Sequence, residues 1–467
     1  MRPNTVTADA QVTANLLSRL DRLPMTRTAW VTTILVTVIW VAEGFETGVI
    51  GPILLLVKVP WGLTAQGVAQ LGIASTSGII VGAALAGRVI DRYGRRVVLL
   101  CGVTLFSLSS MLCSLSADVG WITAMRLLGG LALGAVFTIP YLMLSELLGT
   151  RSRARTIAAA SGVLALSYLI PQAAALVVID HLSVDPAWRV LFLLGGLPIV
   201  AVPFIYRYLP ESPRWLLLTG RVAAAQALVE RMEREAGYEH DKELVHPGIG
   251  AVVQAEHQSG SERGSGAGSL FRRPLVGRLL VCLLICAGAS AGAYVLLVYA
   301  STMYADMGMS AQEALITAIG IIIAGASGAI AVGQFADRLG RRKTFLGYSL
   351  GAAFGFSMLA LSQSIALAVT FGLVSAFFCT GLVPFTKLFT AEQFPTRARG
   401  TAAGFVESAS RCLGGVLVVA SIPFIQAKWG TTAPFWLIAT IFLLCLGPVM
   451  IRARETRGMS IDQAGAA

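Results

Sequence analysis

The chain is 467 residues long, and 55% of them are hydrophobic while only 13% are charged, against about 25% charged in a soluble domain. This composition, with a mean hydropathy of +0.74, excludes a disordered chain and counts against a soluble enzyme. The formal net charge is +11; a nucleic-acid binder holds its cations in one patch, a membrane protein on one side of the bilayer.

A polar stretch of about 28 residues containing Arg19, Arg22 and Arg27 comes first, and no cleavable leader is expected. Apolar segments follow at about 29–57, 64–89, 97–116, 120–147, 156–179 and 188–209, then at about 275–304, 310–335, 344–363, 365–390, 400–427 and 432–451. Each is long enough for a membrane-spanning helix of about 20 residues. In the gap between the two sets, residues 221–236 read as an amphipathic surface helix and residues 258–269 as a flexible linker. The expected organisation is a tail (1–28), a six-helix bundle (29–209), a central loop (210–274), a second six-helix bundle (275–451) and a tail (452–467). Small residues four apart, as at Gly78 and Gly82 or Gly130 and Gly134, allow close helix approach in lipid. The seven cysteines lie in apolar stretches without a C-x-x-C and read as small hydrophobes.

If the N-terminus is cytoplasmic, 30 of the 36 Lys and Arg fall in cytoplasmic segments, and the outer loops hold only Lys58, Arg189 and Lys428. That bias sets the expected orientation, with both termini inside a cell (inner or plasma) membrane crossed twelve times. The remaining three cations, Arg126, Lys387 and Arg411, lie within apolar segments.

Two loop motifs repeat at one offset. Gly87, Asp91, Arg92, Gly94 and Arg95 recur as Gly333, Asp337, Arg338, Gly340 and Arg341, each 246 residues later. Glu146 and Arg153 recur as Glu392 and Arg399, again 246 apart. The chain therefore reads as two related halves with equivalent loops on one face, as parallel repeats require.

These residues carry a family resemblance. The repeated G-x-x-x-D-R-x-G-R-R resembles the loop signature of the major facilitator superfamily. The second-half E-x-x-P-x-x-x-R-G, the run Pro210 to Leu217 (PESPRWLL) and Glu455 to Gly458 (ETRG) resemble its sugar-porter and metabolite-transporter branches, as does the tail motif R-L-D-R-L-P-M-T-R at 19–27. One departure is Gly149, where the family usually has proline. The resemblance implies an all-α integral membrane protein of twelve helices in two pseudo-symmetric six-helix bundles. It also implies that the loop residues, with Glu211, Arg214 and Glu455, latch the bundles at the cytoplasmic face. Asp91 can pair with arginines and accept bonds from a helix N-terminus; the alternative is topogenic charge with static salt bridges.

Six charges inside apolar segments break the repeat: Glu43, Glu46, Arg126, Lys387, Glu407 and Arg411 have uncharged counterparts at the 246 offset. A charge at mid-bilayer costs about 2.5–3.5 kcal/mol or more, so these imply a polar cavity. Glu46 lies ~17 Å below Lys58 along its helix, and Arg126 ~9 Å below the outer end of the fourth segment, close enough to pair. In sugar:proton symporters Glu46 falls on the proton-coupling acid of G-Y-D-T-A-V-I-S-G and Arg126 on its arginine partner. Aromatic-acid:proton symporters carry D-G-F-D-T, which Glu43 to Thr47 (EGFET) resembles with both acids lengthened. Glu46, Arg126 and Glu43 are thus the proton-coupling candidates, a fixed ion pair being the other reading. Glu407 and Arg411 share a helix face and suit either carboxylate recognition or a self-contained pair. Lys387 either joins them or snorkels to the surface. Tyr168, Gln172, Tyr294, Tyr299 and Phe385 are further cavity candidates. The Q-Q-x-x-G-x-N of sugar porters is replaced here by a stretch with Gly288, Ala289, Gly292 and Tyr294, which argues against a sugar pocket of that type.

The six charges sum to zero, so an added anion calls for a proton. The expected function is import of a small organic metabolite, a carboxylate above all, with protons and by alternating access, the protein acting as a monomer. Other readings are a sugar or polyol symporter, a drug:proton antiporter, and a receptor on the same scaffold. No metal cluster or phosphate loop supports an enzyme, and no cofactor or metal is expected.

Overall fold

The computed structural model describes residues 13, 15–116, 118–238, 275–394 and 396–452, with no side-chain placement for some of these. The first six spans are α1 (Arg27–Val57), α2 (Ala65–Tyr93), α3 (Arg95–Ser114), α4 (Val119–Leu147), α5 (Thr150–Ser167 continuing as Leu169–His181) and α6 (Val184–Tyr208). A short helix, Pro213–Leu218, and a surface helix, Val222–Glu235, follow. The second six are α7 (Leu275–Asp306), α8 (Ala311–Leu339), α9 (Arg341–Leu361), α10 (Ile365–Gln393), α11 (Thr396–Ser410, a π-helical stretch Arg411–Val418, then Val419–Trp429) and α12 (Ala433–Arg452). Eleven described helices are long and apolar enough to cross a bilayer, and α12 has a shorter apolar stretch, Ala433–Pro448. A 29-residue helix such as α2 is ~43 Å long, enough for hydrocarbon and headgroups together. Helices satisfy their own backbone polar groups, which lipid cannot do. Their starts are capped by side chains: Thr64 accepts from the Gly67 amide, Asp118 from Trp121 and Ser364 from Leu367.

Glycine pairs build the α2–α4 contact. A Cβ on Gly78 or Gly82 would lie 2.3 or 2.0 Å from the carbonyl oxygens of Leu127 and Leu131. One on Gly130 or Gly134 would lie 2.2 or 2.3 Å from those of Ser75 and Ile79. Each helix thus seats its backbone in a gap left by missing side chains on the other.

The repeat is visible in the backbone. Gly94 and Gly340 have φ of +92° and +93°, turning α2 into α3 and α8 into α9. The next arginines also match: Arg96 donates to the carbonyl of Tyr206 at the end of α6, and Arg342 to that of Met450 in α12. The face bearing these loops is called the basic face below.

Polar contacts join the halves at the opposite face. Lys58 Nζ donates to Asp306 Oδ1 at 2.8 Å, and Gln312 at the start of α8 donates to Asp180 at the end of α5. The backbone of α1 at Gly51 approaches the Leu297 carbonyl of α7, and Gly72 of α2 receives the Tyr299 ring. All these residues belong to the parts of their spans nearest that face, which closes the space between the halves there.

Candidate functional site

A cavity of about 420 Å³ lies between the halves, lined from α1, α2, α4, α5, α7, α8, α10 and α11. Four of the six unrepeated charges face it: Glu43, Lys387, Glu407 and Arg411. Glu407 Oε1 accepts from Arg411 Nε at 3.0 Å and lies 3.4 Å from Lys387 Nζ. Lys387 therefore joins the cavity cluster. The Arg411 guanidinium sits 4.5 Å from the centre of the Phe137 ring, a cation–π contact across the two halves. Arg411 opens the π-helical stretch, a distortion common at functional sites. There Gly415 leaves room for the Tyr294 ring, which lies 3.2 Å from where a Cβ would stand.

Glu43 is 3% exposed and lines the same cavity as Arg411 and Lys387. Glu43, Thr47 and Gln172 line this cavity, and their Oε2, Oγ1 and Oε1 atoms are buried with no hydrogen-bond partner among the described residues. Phe137, Tyr141, Tyr168 and Tyr294 supply an aromatic lining.

Glu46 and Arg126 are brought together as expected, but outside this cavity. Arg126 Nη1 donates to Glu46 Oε2, Nη2 donates to the Glu46 carbonyl at 2.7 Å, and the side chains are 2% and 4% exposed. The guanidinium lies 5.9 Å from the centre of the Phe192 ring of α6. A Cβ on Gly195 would stand 2.4 Å from Glu46 Oε1, so α6 closes over the pair. The division follows from helical geometry. Residues four apart share a face, so Glu43 and Thr47 both turn to the cavity. Gly44 and Gly48 turn to Ser167 and Pro171 of α5, leaving Glu46 to face α4 and α6. The single six-charge site expected from the sequence is thus two sites. Tyr299 and Phe385 also fall outside the cavity lining: Tyr299 packs on Gly72, and Phe385 stacks on Phe389 at 6.1 Å. Phe137 and Tyr141 were missed, although their spacing of four on the helix that carries Arg126 places them on one face.

On the basic face of the first half the two loop motifs meet. Arg95 Nη2 donates to Glu146 Oε1 at 3.3 Å, both side chains being buried. The α3 N-terminus is served by Glu211, which accepts from the Arg95 and Arg96 amides at 3.0 and 3.1 Å. This corrects the role expected of Asp91, whose side chain is exposed and whose carbonyl accepts from Trp215 Nε1 at 2.9 Å. Arg92 lies over its neighbour Tyr93, and Arg214 sits in the first turn of Pro213–Leu218. In the second half Arg341 Nη1 donates to the Ala336 carbonyl at 3.0 Å and Arg338 is exposed. A Cβ on Gly87 or Gly333 would meet open space, so close packing does not account for these glycines. The side chains of Asp337, Glu392 and Arg399 and all of Glu455 and the linker 258–269 lie outside the described residues.

The tail motif docks on the same face. Arg19 Nε donates to Glu233 Oε1 at 2.9 Å, Arg22 joins the same carboxylate, and Arg153 donates to Asp21 and to the Leu148 carbonyl. Thr26 caps α1 through the Ala29 amide. A Cβ at Gly149 would stand 2.1 Å from the Leu23 carbonyl, which accounts for glycine at this position. The Arg19 guanidinium holds the Glu233 carboxyl below its ordinary range.

Two pseudo-symmetric helical halves around a central, largely apolar cavity that holds four charged side chains define a membrane transporter of the major facilitator fold, not an enzyme. A family model described as sugar (and other) transporter matches residues 31–467, and the chain belongs to that family. It is 25% identical over 454 residues to the niacin transporter NiaP of Acinetobacter baylyi, covering 97% of this chain and 100% of that one. It is 28% identical over 395 residues to the gallate transporter of Pseudomonas putida, covering 82% of each. An inward-open structure of the xylose transporter XylE from E. coli matches the fold with a TM-score of 0.74 at 20% identity, over 94% of this chain and 99% of that one.

Proposed function

We propose that the protein is a symporter that carries a small organic carboxylate together with a proton by alternating access, its substrate class including aromatic acids. The observation that carries this reading is the Glu43, Glu407, Lys387 and Arg411 cluster in an aromatic-lined cavity. With both acids ionised, the cluster has no net charge. A carboxylate binding Arg411 adds one negative charge, and a proton on Glu43 restores the balance, so the occupied site crosses the low-dielectric region at lower cost. The relatives named for niacin and gallate transport accord with an aromatic acid. The absence of amide side chains at Gly288, Ala289 and Tyr294 weighs against a sugar.

The charge bias of the loops supports a cytoplasmic basic face, and closure at the opposite face then makes this state inward-facing. Alternating access is rocking of α1–α6 against α7–α12 about the cavity, with the basic-face loops as the latch. The test is uptake of aromatic and aliphatic acids into proteoliposomes under an imposed proton gradient. An inward gradient is expected to drive uptake, and Glu43→Gln to abolish the drive while retaining substrate exchange. Uptake indifferent to the gradient in the wild-type protein sinks the proton claim; uptake of sugars but no acid sinks the substrate claim.

A further inference from the structure

We propose that the pocket at the basic-face ends of α1 and α6, beside the surface helix, is a binding site for the phosphate headgroup of an anionic phospholipid. The pocket has a volume of about 410 Å³ and is lined by Arg27, Thr28, Val31, Arg207, Tyr208 and Arg231, within the size range of ordinary small-ligand sites. Three of its six lining residues are arginines. The carboxylate beside them, Glu235, is already engaged: it accepts from the Thr28 amide at 2.7 Å, the Thr28 hydroxyl at 2.8 Å and Arg231 Nε at 3.1 Å. Arg27 and Arg207 form no ion pair among the described residues, and both are exposed. The pocket therefore keeps an excess of about two positive charges, carried on guanidinium groups, which suit phosphate oxygens.

Its surroundings identify the source of the phosphate. Trp30, Phe204 and Tyr206 are 54%, 52% and 67% exposed around the same helix ends. Exposed aromatics at span ends mark headgroup depth, and basic pockets between spans at that depth suit anionic lipid. A phosphate there can be reached by acyl chains lying against α1 and α6.

The experiment is native mass spectrometry of the full-length protein released from nanodiscs containing equal parts of phosphatidylglycerol and phosphatidylcholine. Wild-type protein is expected to retain phosphatidylglycerol preferentially. Arg27→Gln/Arg207→Gln is expected to weaken that retention by roughly 30-fold, while Arg221→Gln, at an exposed arginine elsewhere on the basic face, leaves it intact. Size-exclusion profiles check that the variants are folded, and the milder Arg207→Gln alone is expected to give an intermediate loss. Equal retention of the two lipids by the wild-type protein overturns the proposal, as does full retention by the double variant. Displacement of the lipid by glycerol phosphate, which has no acyl chains, at matching concentration reassigns the pocket to a soluble phosphate and overturns the lipid source.

Discussion

Replacing Glu46 by Gln tests whether its pair with Arg126 is a fixed brace or a moving part. The pair is buried on both sides, and among the described residues Arg126 also donates to one carbonyl oxygen and lies over the Phe192 ring. Removing one partner of such a pair leaves an uncompensated buried charge, at about 3–5 kcal/mol. Glu46→Gln and Arg126→Gln are therefore each expected to destabilise the protein by about that much. Glu46→Gln/Arg126→Gln removes both charges and is expected to recover most of the loss, because a neutral replacement of a buried pair is often close to neutral. The cycle is read by unfolding the purified protein in detergent, with tryptophan fluorescence as the signal. Single-variant losses that simply add in the double variant refute the argument, since groups in contact must couple. The same variants decide the transport question. A brace predicts that the double variant still responds to a proton gradient, whereas loss of that response with Glu43→Gln unaffected transfers the coupling role from Glu43 to Glu46.

Arg411→Lys keeps the charge but loses the planar fork; with a charged hydrogen bond worth about 1.5–3 kcal/mol, roughly 10- to 100-fold weaker binding of a carboxylate is expected by thermal-shift titration. Gly130→Ala places a Cβ 2.2 Å from the Ser75 carbonyl and is expected to cost about 1–3 kcal/mol. Gly87→Ala meets open space and is expected to leave stability equal or raise it by about 0.5–1 kcal/mol, both read by thermal unfolding. Because Arg19 lowers the folded-state pKa of Glu233, the Glu233 contribution to tail docking is fully present above the unfolded carboxyl pKa of about 4.3. It is lost as pH falls through the lowered folded value. Protection of residues 15–26 relative to the intrinsic exchange rate is therefore expected to fall on acidification below that point, and Arg19→Gln to lower it already at neutral pH. Gly149→Ala, 2.1 Å from the Leu23 carbonyl, is expected to speed exchange in the same segment without moving Arg95 or Glu146.

Which parts of the site were legible depended on whether a one-dimensional signal existed. The partnership of Glu46 with Arg126 was readable because depth along a helix is proportional to residue number, and two isolated charges at matching depth have few alternatives in lipid. The Glu407–Arg411 pair was readable from its spacing of four. Asp91 and Glu211 were not separable in this way. Both are acids in loop motifs, and which one reaches the α3 N-terminus depends on how the chain returns after α6. Tyr294 and Tyr299 sit five residues apart on α7 with similar apolar neighbours; only the approach of Gly72 from α2 removes Tyr299 from the cavity.

The amino-acid sequence by itself determined twelve spans, the two-fold repeat at 246 residues and the face on which its cations collect. Each is a local response to the bilayer: a length of apolar chain, a loop of fixed signature, a charge that must not cross. Tertiary structure alone decided that Glu43 shares a cavity with Lys387, Glu407 and Arg411 while Glu46 is sealed against α4 and α6. The reason is that a span is apolar all round, so its lipid-facing, helix-facing and cavity-facing sides carry no distinguishing periodicity. Its rotation is set by where neighbouring backbones can approach, as at Gly44 and Gly48 against α5, and that information is spread over several helices.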